Sequence, residues 1–512
     1  MLALIAAALI AAAHAARYDP TWASLDTRPL PQWYDDAKVG IFIVGGVFSV
    51  PSWGDPAAGG ASGEWFEDLA FVQKRPSYVS FMQKNYPPGF TYADFAAQYT
   101  MELFNATQWA QLFVNAGARY TAFLTKHHDG FTLWPSATSF QWNSVDVGPQ
   151  RDVTGEVSAA VKAAGLHSGL YHSLFEWLNP EFLADQANNF TTHVFVEKTM
   201  GELRDLVERY QPDLIWSDGD WMAPDAYWQA PANFLAWLVN DSPVAATVVF
   251  NDRWGKGITC EHGSFLTCQD RFNPGKLQNK KWENAMTLDR HSWGYRRNAP
   301  ASEYLSFKEL LQELTSTVAY GGNLLINVGP AADGSIPVVM EERLLTLGAW
   351  LAVNGEGVYG TMPWRAQNET AVSAYFVASK PPAAAAVYVY LMAWPPSGAL
   401  TLALPVATAN TTAQLLVLGG SVPVQVQGAP GAPGLKLLLC VLPPFFLLLQ
   451  PSSRSNPTPP PCKLHPLLLT PLPRAPAGPR TLLICAARAR MWPGSCALRM
   501  CNKIFVAQQR RK

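Results

Sequence analysis

Between Tyr18 and about Leu351 the chain alternates short apolar runs with amphipathic segments, and this alternation constrains the fold more than any other feature. The apolar runs are 39–46, 120–126, 168–173, 213–218, 248–252 and 324–330. Apolar strands that alternate with helices predict a parallel sheet covered on both faces. About 330 residues of this pattern, with no glycine-rich dinucleotide motif after the first run, favour a (β/α)8-like TIM barrel of the α/β class over a doubly wound sheet.

The pattern changes after Asn354. Residues 360–434 contain alternating or apolar runs between Pro, Gly and Asn turns, which predicts a small antiparallel β domain. Residues 435–512 are rich in Leu, Pro and Arg, and we interpret them as a low-complexity, disordered tail. Prolines interrupt the longest apolar run of the tail, so a membrane-spanning helix is disfavoured, whereas a basic membrane-surface segment is an alternative.

The first residues indicate the secretory pathway. Residues 1–15 have the apolar core and the small-residue cleavage site of a signal peptide, and they are too short for a stable membrane anchor. N-glycosylation sequons occur at Asn105, Asn189, Asn240, Asn368 and Asn410. We therefore expect a lysosomal or extracellular glycoprotein.

Charge and cysteine content exclude two further classes of protein. The net charge is only −1, but no Asp or Glu follows Glu369, so the first part of the chain is strongly acidic. An acidic surface repels phosphates, which argues against nucleic acid as a partner. Cys260 and Cys268 are the only cysteines before residue 435, so this part forms one disulfide at most. Their spacing does not indicate structural zinc.

Polar residues follow several of the predicted strands where each strand ends. They are 126–129, 171–172, Asp218 and 251–254. Active sites of such barrels lie at the C-terminal ends of the strands, so these side chains are expected to meet. Glycosidases place two carboxylates around the scissile bond, and the 19 tryptophans suit sugar stacking.

The identity of the two carboxylates is open from the residues alone. Asp218 and Asp220 cannot both face one point easily, so one of them is expected to be a turn or helix-cap residue. The partner carboxylate then comes from another loop, with Asp270 and Glu283 as candidates. Residues 127–129, a His-His-Asp run, are also compatible with a metal site, and Arg253 with a structural ion pair.

Several motifs carry a family resemblance. The segments "TKHHDGFTLWPS", "GLYHSLFEW", "PDLIWSDGDW", "VFNDRWG", "KWE", "SWGYRR" and "GGNLLINVGP" resemble the retaining α-L-fucosidases of glycoside hydrolase family 29, in unbroken order from about Arg17 to Gly434. The resemblance implies a catalytic (β/α)8-like barrel over 17–355 and a C-terminal antiparallel β-sandwich over 360–434. It also implies removal of terminal α-L-fucose from oligosaccharides, glycoproteins or glycolipids, with no cofactor and no metal, and it is compatible with a homo-oligomer.

The resemblance also implies residue roles. Asp218 is the expected nucleophile, and Asp270 the expected acid/base, with Glu283 as the alternative. The expected substrate-binding residues are Glu64, Trp65, His127, His128, Tyr171, Trp216 and Arg253.

One departure from the family pattern concerns the first strand. Where the family motif reads G-x-F-I-H-W-G, this chain has Val44 at the position of the histidine and Gly45 at the position of the tryptophan. Valine cannot form a hydrogen bond to a sugar hydroxyl, a loss of ~1–3 kcal/mol. We expect impaired catalysis, and a fucosidase-like glycan-binding protein is the alternative function. A metal-dependent hydrolase built on residues 127–129 is a third hypothesis.

Overall fold

The computed structural model describes residues 17–58, 62–383, 385–427, 431, 433–439 and 446–451. The predicted signal peptide (1–15) and most of the predicted tail (435–512) lie outside the described residues. No helix in the described part is long and apolar enough to cross a membrane.

A parallel sheet forms the centre of the first region. Its strands follow the order β5-β4-β3-β2-β1-β7-β6, and nearly every residue in them is buried, as the apolar runs predict. The strands are β1 (Val39–Ile43), β2 (Tyr120–Lys126), β3 (Gly169–Ser173), β4 (Leu214–Asp218), β5 (Val249–Phe250), β6 (Trp282–Thr287) and β7 (Gly322–Val328).

An irregular segment closes the sheet into a barrel. The backbone N–H of Ser264 donates to the carbonyl of Phe250 at 2.9 Å, and that of Leu266 donates to Lys281 at 2.9 Å. The N–H of Glu283 then donates back to Leu266 at 2.8 Å. Residues 264–267 thus occupy the eighth position, between β5 and β6. The predicted (β/α)8-like barrel is confirmed, with one position that is too short to recognise from sequence periodicity.

Helices surround the sheet, and their polar caps follow from the sequence. The side chain of Asn105 accepts a hydrogen bond from the Gln108 N–H, and Ser306 forms a reciprocal capping box with Glu309. The helices are α1 (Trp22–Leu25), α2 (Gln32–Ala37), α3 (Pro76–Asn85), α4 (Ala106–Asn115), α5 (Val153–Ala163), α6 (Pro180–Ala187), α7 (Val194–Tyr210), α8 (Asp225–Trp228), α9 (Ala236–Asn240), α10 (Phe307–Ala319) and α11 (Val338–Asn354).

Antiparallel strands form the second region, as predicted. They follow the order β11-β14-β13-β12-β15-β10-β9-β8 and bury a core that includes Phe376, Leu402 and Leu437. The strands are β8 (Thr361–Glu369), β9 (Ala374–Ser379), β10 (Val387–Leu391), β11 (Ala399–Val406), β12 (Thr411–Val417), β13 (Gly420–Gln427), β14 (Pro433–Leu438) and β15 (Phe446–Pro451).

The boundary predicted at residue 434 falls inside β14. Strand β15 lies farther along the chain, between β12 and β10, and pairs with both. Most of β14 and all of β15 therefore lie in the segment that we interpreted as a tail. Leucine runs flanked by prolines lack the alternation of apolar and polar residues by which a strand is recognised in a sequence. A strand that pairs with neighbours on both edges can form without that alternation.

Candidate active site

A pocket of about 390 Å³ lies at the C-terminal ends of the barrel strands. Its volume suits a small ligand. Nine of the sequence-predicted site residues meet there, and Val44 lines it as well. The nine are Glu64, Trp65, His127, His128, Tyr171, Trp216, Asp218, Arg253 and Asp270.

Asp218 is the last residue of β4 and projects into the pocket. Its Oδ1 accepts a hydrogen bond from Nη1 of Arg253 at 2.9 Å, and its Oδ2 accepts one from the Tyr171 hydroxyl at 2.8 Å. Nε2 of His128 lies 3.6 Å from the same Oδ2. The side chain is only 12% exposed. The carboxylate is therefore fixed in orientation and partly removed from water, as a nucleophile requires.

Arg253 joins the two candidate catalytic carboxylates. Besides its bond to Asp218, its Nη2 donates to Oδ1 of Asp270 at 2.7 Å. Its Nε donates to Thr267 Oγ1 at 2.9 Å, and the guanidinium lies 4.7 Å from the ring centroid of Trp216. Burial lowers the pKa of Arg253, but the charges of Asp270 and Asp218 outweigh burial and raise the pKa above its ordinary value. One permanent cation therefore serves both acids.

Asp270 lies at the mouth of the pocket, with a side chain that is 46% exposed. Its Oδ2 accepts a hydrogen bond from Nε1 of Trp293 at 3.2 Å. The loop that carries Asp270 follows the disulfide between Cys260 and Cys268. The position suits a group that contacts both the sugar and its leaving group.

A buried carboxylate, Asp252, holds this disulfide loop from below. Its Oδ2 accepts the N–H groups of Cys260 at 2.8 Å and Cys268 at 3.0 Å. Its Oδ1 accepts the N–H of Thr267 at 2.9 Å and the Thr267 hydroxyl at 2.6 Å. Four bonds to one carboxylate fix the loop just before Asp270.

Glu283 does not reach the pocket. It is the second residue of β6, so it lies toward the N-terminal end of the barrel, beneath Trp216. It is fully buried and accepts hydrogen bonds from Nε1 of Trp216 at 2.9 Å and from the hydroxyls of Tyr34 at 2.8 Å and Tyr120 at 2.5 Å. Burial raises its pKa. This geometry makes Glu283 a support for the indole of Trp216 and speaks against the alternative acid/base.

Two polar atoms at the pocket have no hydrogen-bond partner among the described residues: Oε1 of Glu64 and Nδ1 of His127. The other oxygen of Glu64 is held by the N–H groups of Gly294 at 2.8 Å and Trp293 at 3.1 Å. Burial lowers the pKa of His127 and of His128 well below the ordinary value, so both rings are neutral near pH 7. Buried polar groups without a partner are costly, so these two atoms suit a ligand with hydroxyl groups.

The His-His-Asp run is divided between two surfaces. His127 and His128 line the pocket, whereas Asp129 faces away and accepts the Tyr92 hydroxyl at 2.7 Å and the Phe131 N–H at 3.1 Å. In the part of the chain that the structure describes, no group of three or more His, Cys, Asp or Glu residues could hold a metal ion.

Sequence reasoning missed several residues of the pocket wall. Asp220, which becomes the expected turn or helix-cap residue once Asp218 is taken as the nucleophile, lines the pocket and accepts a hydrogen bond from the hydroxyl of Thr259. Burial raises the pKa of Asp220. The indole of Trp221 stacks near Trp65, with ring centroids 6.2 Å apart. The others are Phe42, Leu124, Cys268, Gln269 and Trp293. Most of these residues reach the pocket through loop conformations that the sequence does not show. Trp293 lies in a motif named above, "SWGYRR", at a family-like position.

The first strand ends with an apolar contribution to the pocket. The N–H of Val44 donates to the carbonyl of Val328 at 3.0 Å, which fixes the backbone, and its apolar side chain lines the wall. A Cβ on Gly45 would lie 3.3 Å from Cδ of Pro330. A side chain at position 45 therefore requires Pro330 to shift slightly.

Comparisons with known proteins agree with this geometry. A family model described as α-L-fucosidase matches residues 5–356. The plasma α-L-fucosidase of Rattus norvegicus is 52% identical over 411 residues, which cover 80% of this chain and 87% of that protein. The tissue α-L-fucosidase of Homo sapiens is 49% identical over 405 residues, covering 79% and 84% respectively. The crystal structure of the Thermotoga maritima α-fucosidase in complex with fucose matches with a TM-score of 0.73 and 31% identity, and covers 85% of this chain and 100% of that chain. The chain therefore belongs to the α-L-fucosidase family.

Proposed function

We propose that the protein is a retaining exo-glycosidase that removes terminal α-L-fucose from glycoconjugates. The observation that carries the proposal is the guanidinium of Arg253, which binds the buried Asp218 and the half-exposed Asp270 at once. Two carboxylates bonded to one guanidinium are close enough to act on the same glycosidic bond.

In the first step Oδ of Asp218 attacks the anomeric carbon, and the bond from that carbon to the leaving oxygen breaks. Asp270 donates its proton to the leaving oxygen, so the aglycone departs as an alcohol. The product is a fucosyl–aspartate ester on Asp218. The hydrogen bonds from Arg253 and Tyr171 hold the attacking carboxylate in line with the anomeric carbon.

In the second step Asp270 accepts a proton from water, and the water oxygen attacks the anomeric carbon. The ester bond breaks, and Asp218 leaves as a carboxylate. Two inversions at one carbon give net retention of configuration.

The remaining wall recognises the sugar. Oε1 of Glu64 accepts a sugar hydroxyl, and Nδ1 of His127 pairs with another, which satisfies both unpaired atoms. The rings of Phe42 and Trp216 provide an apolar floor for the C–H face and the methyl group of a 6-deoxy sugar.

The test is hydrolysis of an aryl α-L-fucoside by the parent chain, Asp218→Ala and Asp270→Ala, with the anomeric product followed by proton NMR. We expect the parent to release the α-anomer first. Azide should rescue Asp218→Ala to a β-fucosyl azide and Asp270→Ala to an α-fucosyl azide, because azide replaces the nucleophile in one and water in the other.

The matched control is Asp213→Asn, which lies at the opposite end of β4 and pairs with His167 at 3.1 Å. We expect it to retain parental turnover. A folded parent that binds fucose without turnover would instead support the glycan-binding alternative.

We infer a secretory location, lysosomal or extracellular, and substrates that are fucosylated oligosaccharides, glycoproteins or glycolipids; a homo-oligomer stays a prediction. The disulfide between Cys260 and Cys268 suits an oxidising compartment. The sequon residues Asn105, Asn189, Asn368 and Asn410 are exposed.

The remaining sequon residue differs from these four. Nδ2 of Asn240 donates to the carbonyls of Tyr18 and Ala236, each at 2.8 Å. A glycan on Nδ2 replaces one of the two amide hydrogens and would break one of these bonds. We predict that Asn240 is left unmodified, and peptide mass spectrometry after expression in a eukaryotic secretory host checks this expectation.

A further inference from the structure

A second cleft, of about 490 Å³, lies behind one wall of the active-site pocket. Three residues that line the cleft are close in sequence to residues of that wall. Glu67 lies two positions after Trp65, and Asp129 follows His128, and both Trp65 and His128 line the pocket. Glu176 precedes Trp177, whose ring centroid lies 5.2 Å from that of Trp65 and 5.1 Å from that of His128. The cleft lining also includes Phe71, Thr91, Tyr92, Ala93, Trp142, Leu178 and Asn179. The proposed fucosidase mechanism uses no residue of this cleft.

Two of the three carboxylates in the cleft have protein partners. Glu176 accepts hydrogen bonds from Nζ of Lys126 at 2.9 Å and Nζ of Lys198 at 2.6 Å, and from the amide of Asn179 at 2.8 Å. Asp129 is held by Tyr92, as described above. Their charges are therefore compensated or fixed by hydrogen bonds.

Glu67 differs from both. Its residue is only 5% exposed, and its Oε2 has no hydrogen-bond partner among the described residues. Burial raises its pKa well above the ordinary value, and the charges of Asp129 and Glu176 raise it further. A buried carboxylate without a cation is costly, so this position requires either a proton or a positive ligand.

Three aromatic residues, Phe71, Tyr92 and Trp142, also line the cleft. The ring of Tyr92 lies 6.1 Å from Phe71 and 6.3 Å from Trp142, between centroids, in edge-to-face or nearly edge-to-face geometry. Ring faces attract organic cations, whereas hard metal ions need several oxygen ligands at short range. The described residues contain no group that could hold a metal ion.

We propose that this cleft binds the ammonium group of a small organic cation, with Glu67 as its counter-ion and the rings of Phe71, Tyr92 and Trp142 as its apolar cage. The site is distinct from the pocket of Asp218 and does not depend on the proposed hydrolysis of fucosides. Exposed residues at the rim, Thr91, Ala93 and Leu178, leave the cleft open to solvent.

Isothermal titration calorimetry with choline tests the proposal on the full chain in saturating fucose, which keeps the probe out of the Asp218 pocket. The neutral isostere 3,3-dimethylbutan-1-ol is titrated in parallel. We expect choline to bind and the isostere to bind at least about tenfold more weakly, because it lacks the charge that Glu67 compensates. Calcium chloride serves as the metal probe, and we expect no competition with choline.

Two variants locate the site. Glu67→Gln keeps the shape and removes the charge, and we expect choline affinity to fall about tenfold. Phe71→Leu removes one ring and is expected to lower affinity about threefold. Glu208→Gln changes an exposed glutamate that does not line the cleft and should leave affinity unchanged. Circular dichroism checks that each variant is folded.

Several results would overturn the proposal. They are absence of choline binding in the millimolar range in saturating fucose, equal binding of the neutral isostere, or unchanged affinity in both folded variants. Tight calcium binding that displaces choline would assign the cleft to a metal ion instead.

Discussion

Replacing Arg253 by lysine separates the charge of this residue from its geometry. The guanidinium donates through Nη1 to Asp218 at 2.9 Å and through Nη2 to Asp270 at 2.7 Å. A lysine keeps the positive charge, but its ammonium is a single point on a flexible stem and cannot reproduce the planar fork. We expect Arg253→Lys to keep the contact with one carboxylate and to lose the other.

The size of the effect follows from that count of contacts. A hydrogen bond to a charged group contributes about 1.5–3 kcal/mol. If the lost bond orients a reacting carboxylate in the transition state, kcat/KM falls about 10- to 150-fold. Since Arg253 contacts the carboxylates, we expect most of the loss in kcat and little change in KM.

The assay is steady-state hydrolysis of an aryl α-L-fucoside, with thermal unfolding as the check on folding. The matched control is Arg290→Lys, because Arg290 binds both oxygens of Glu309 at 2.8 Å on the exposed surface. Exposed pairs contribute little, so the control should stay within about twofold of the parent. A folded Arg253→Lys protein with kcat/KM within about threefold of the parent would refute the bridging role.

Three further predictions concern the pocket and its support. Asp270→Ala should slow fucosides with poor leaving groups far more than activated aryl fucosides, because we propose that Asp270 protonates the leaving oxygen. Glu283→Gln should slow both kinds of substrate equally, because Glu283 does not line the pocket. A leaving-group series measures this, and the reverse pattern would restore Glu283 as the acid. Val44→His should raise kcat/KM about tenfold by adding a hydrogen bond at the wall, and an unchanged or lower value would locate the impairment elsewhere. Replacing Cys260 and Cys268 by serine should reduce the free energy of unfolding by roughly 2–3 kcal/mol and lower kcat, because the loop that carries Asp270 loses a constraint; calorimetry and turnover test this, with parental values in both contradicting it.

The barrel and half of its site could be predicted from strand ends. The side chains of His127, His128, Asp218 and Arg253 meet because parallel strands end at one rim, and each follows a recognisable apolar run. Glu283 shows the limit of this reasoning. The sequence places Glu283 near a strand but does not show whether the residue lies at the start or at the end of that strand. Glu283 lies at the start of β6 and therefore at the N-terminal end of the barrel, away from the pocket.

Strand patterns in the sequence did not predict the remaining parts of the fold and of the pocket. Residues 264–267 complete the barrel without a readable strand pattern, and β14 and β15 extend the second region past the predicted boundary at 434. Glu64 and Trp65 reach the pocket on a short 3-10 helix (Gly63–Trp65) and were assigned through the family resemblance alone. Glu67, two residues farther on, carried no sequence signal, because its isolation from hydrogen-bond donors is a property of the packed structure.

Asp252 and Arg253, which follow β5, connect the strand ends with the loops of the site. Arg253 points into the pocket and binds the proposed nucleophile Asp218, whereas Asp252 points into the structure and accepts four hydrogen bonds from the disulfide loop. That loop returns Asp270 to the second nitrogen of Arg253. The end of β5 therefore sets the distance between the two carboxylates. Arg253 binds Asp218, and Asp252 fixes the loop that precedes Asp270. A sequence shows that Asp252 and Arg253 are adjacent, but their division of roles depends on which way each side chain leaves the strand.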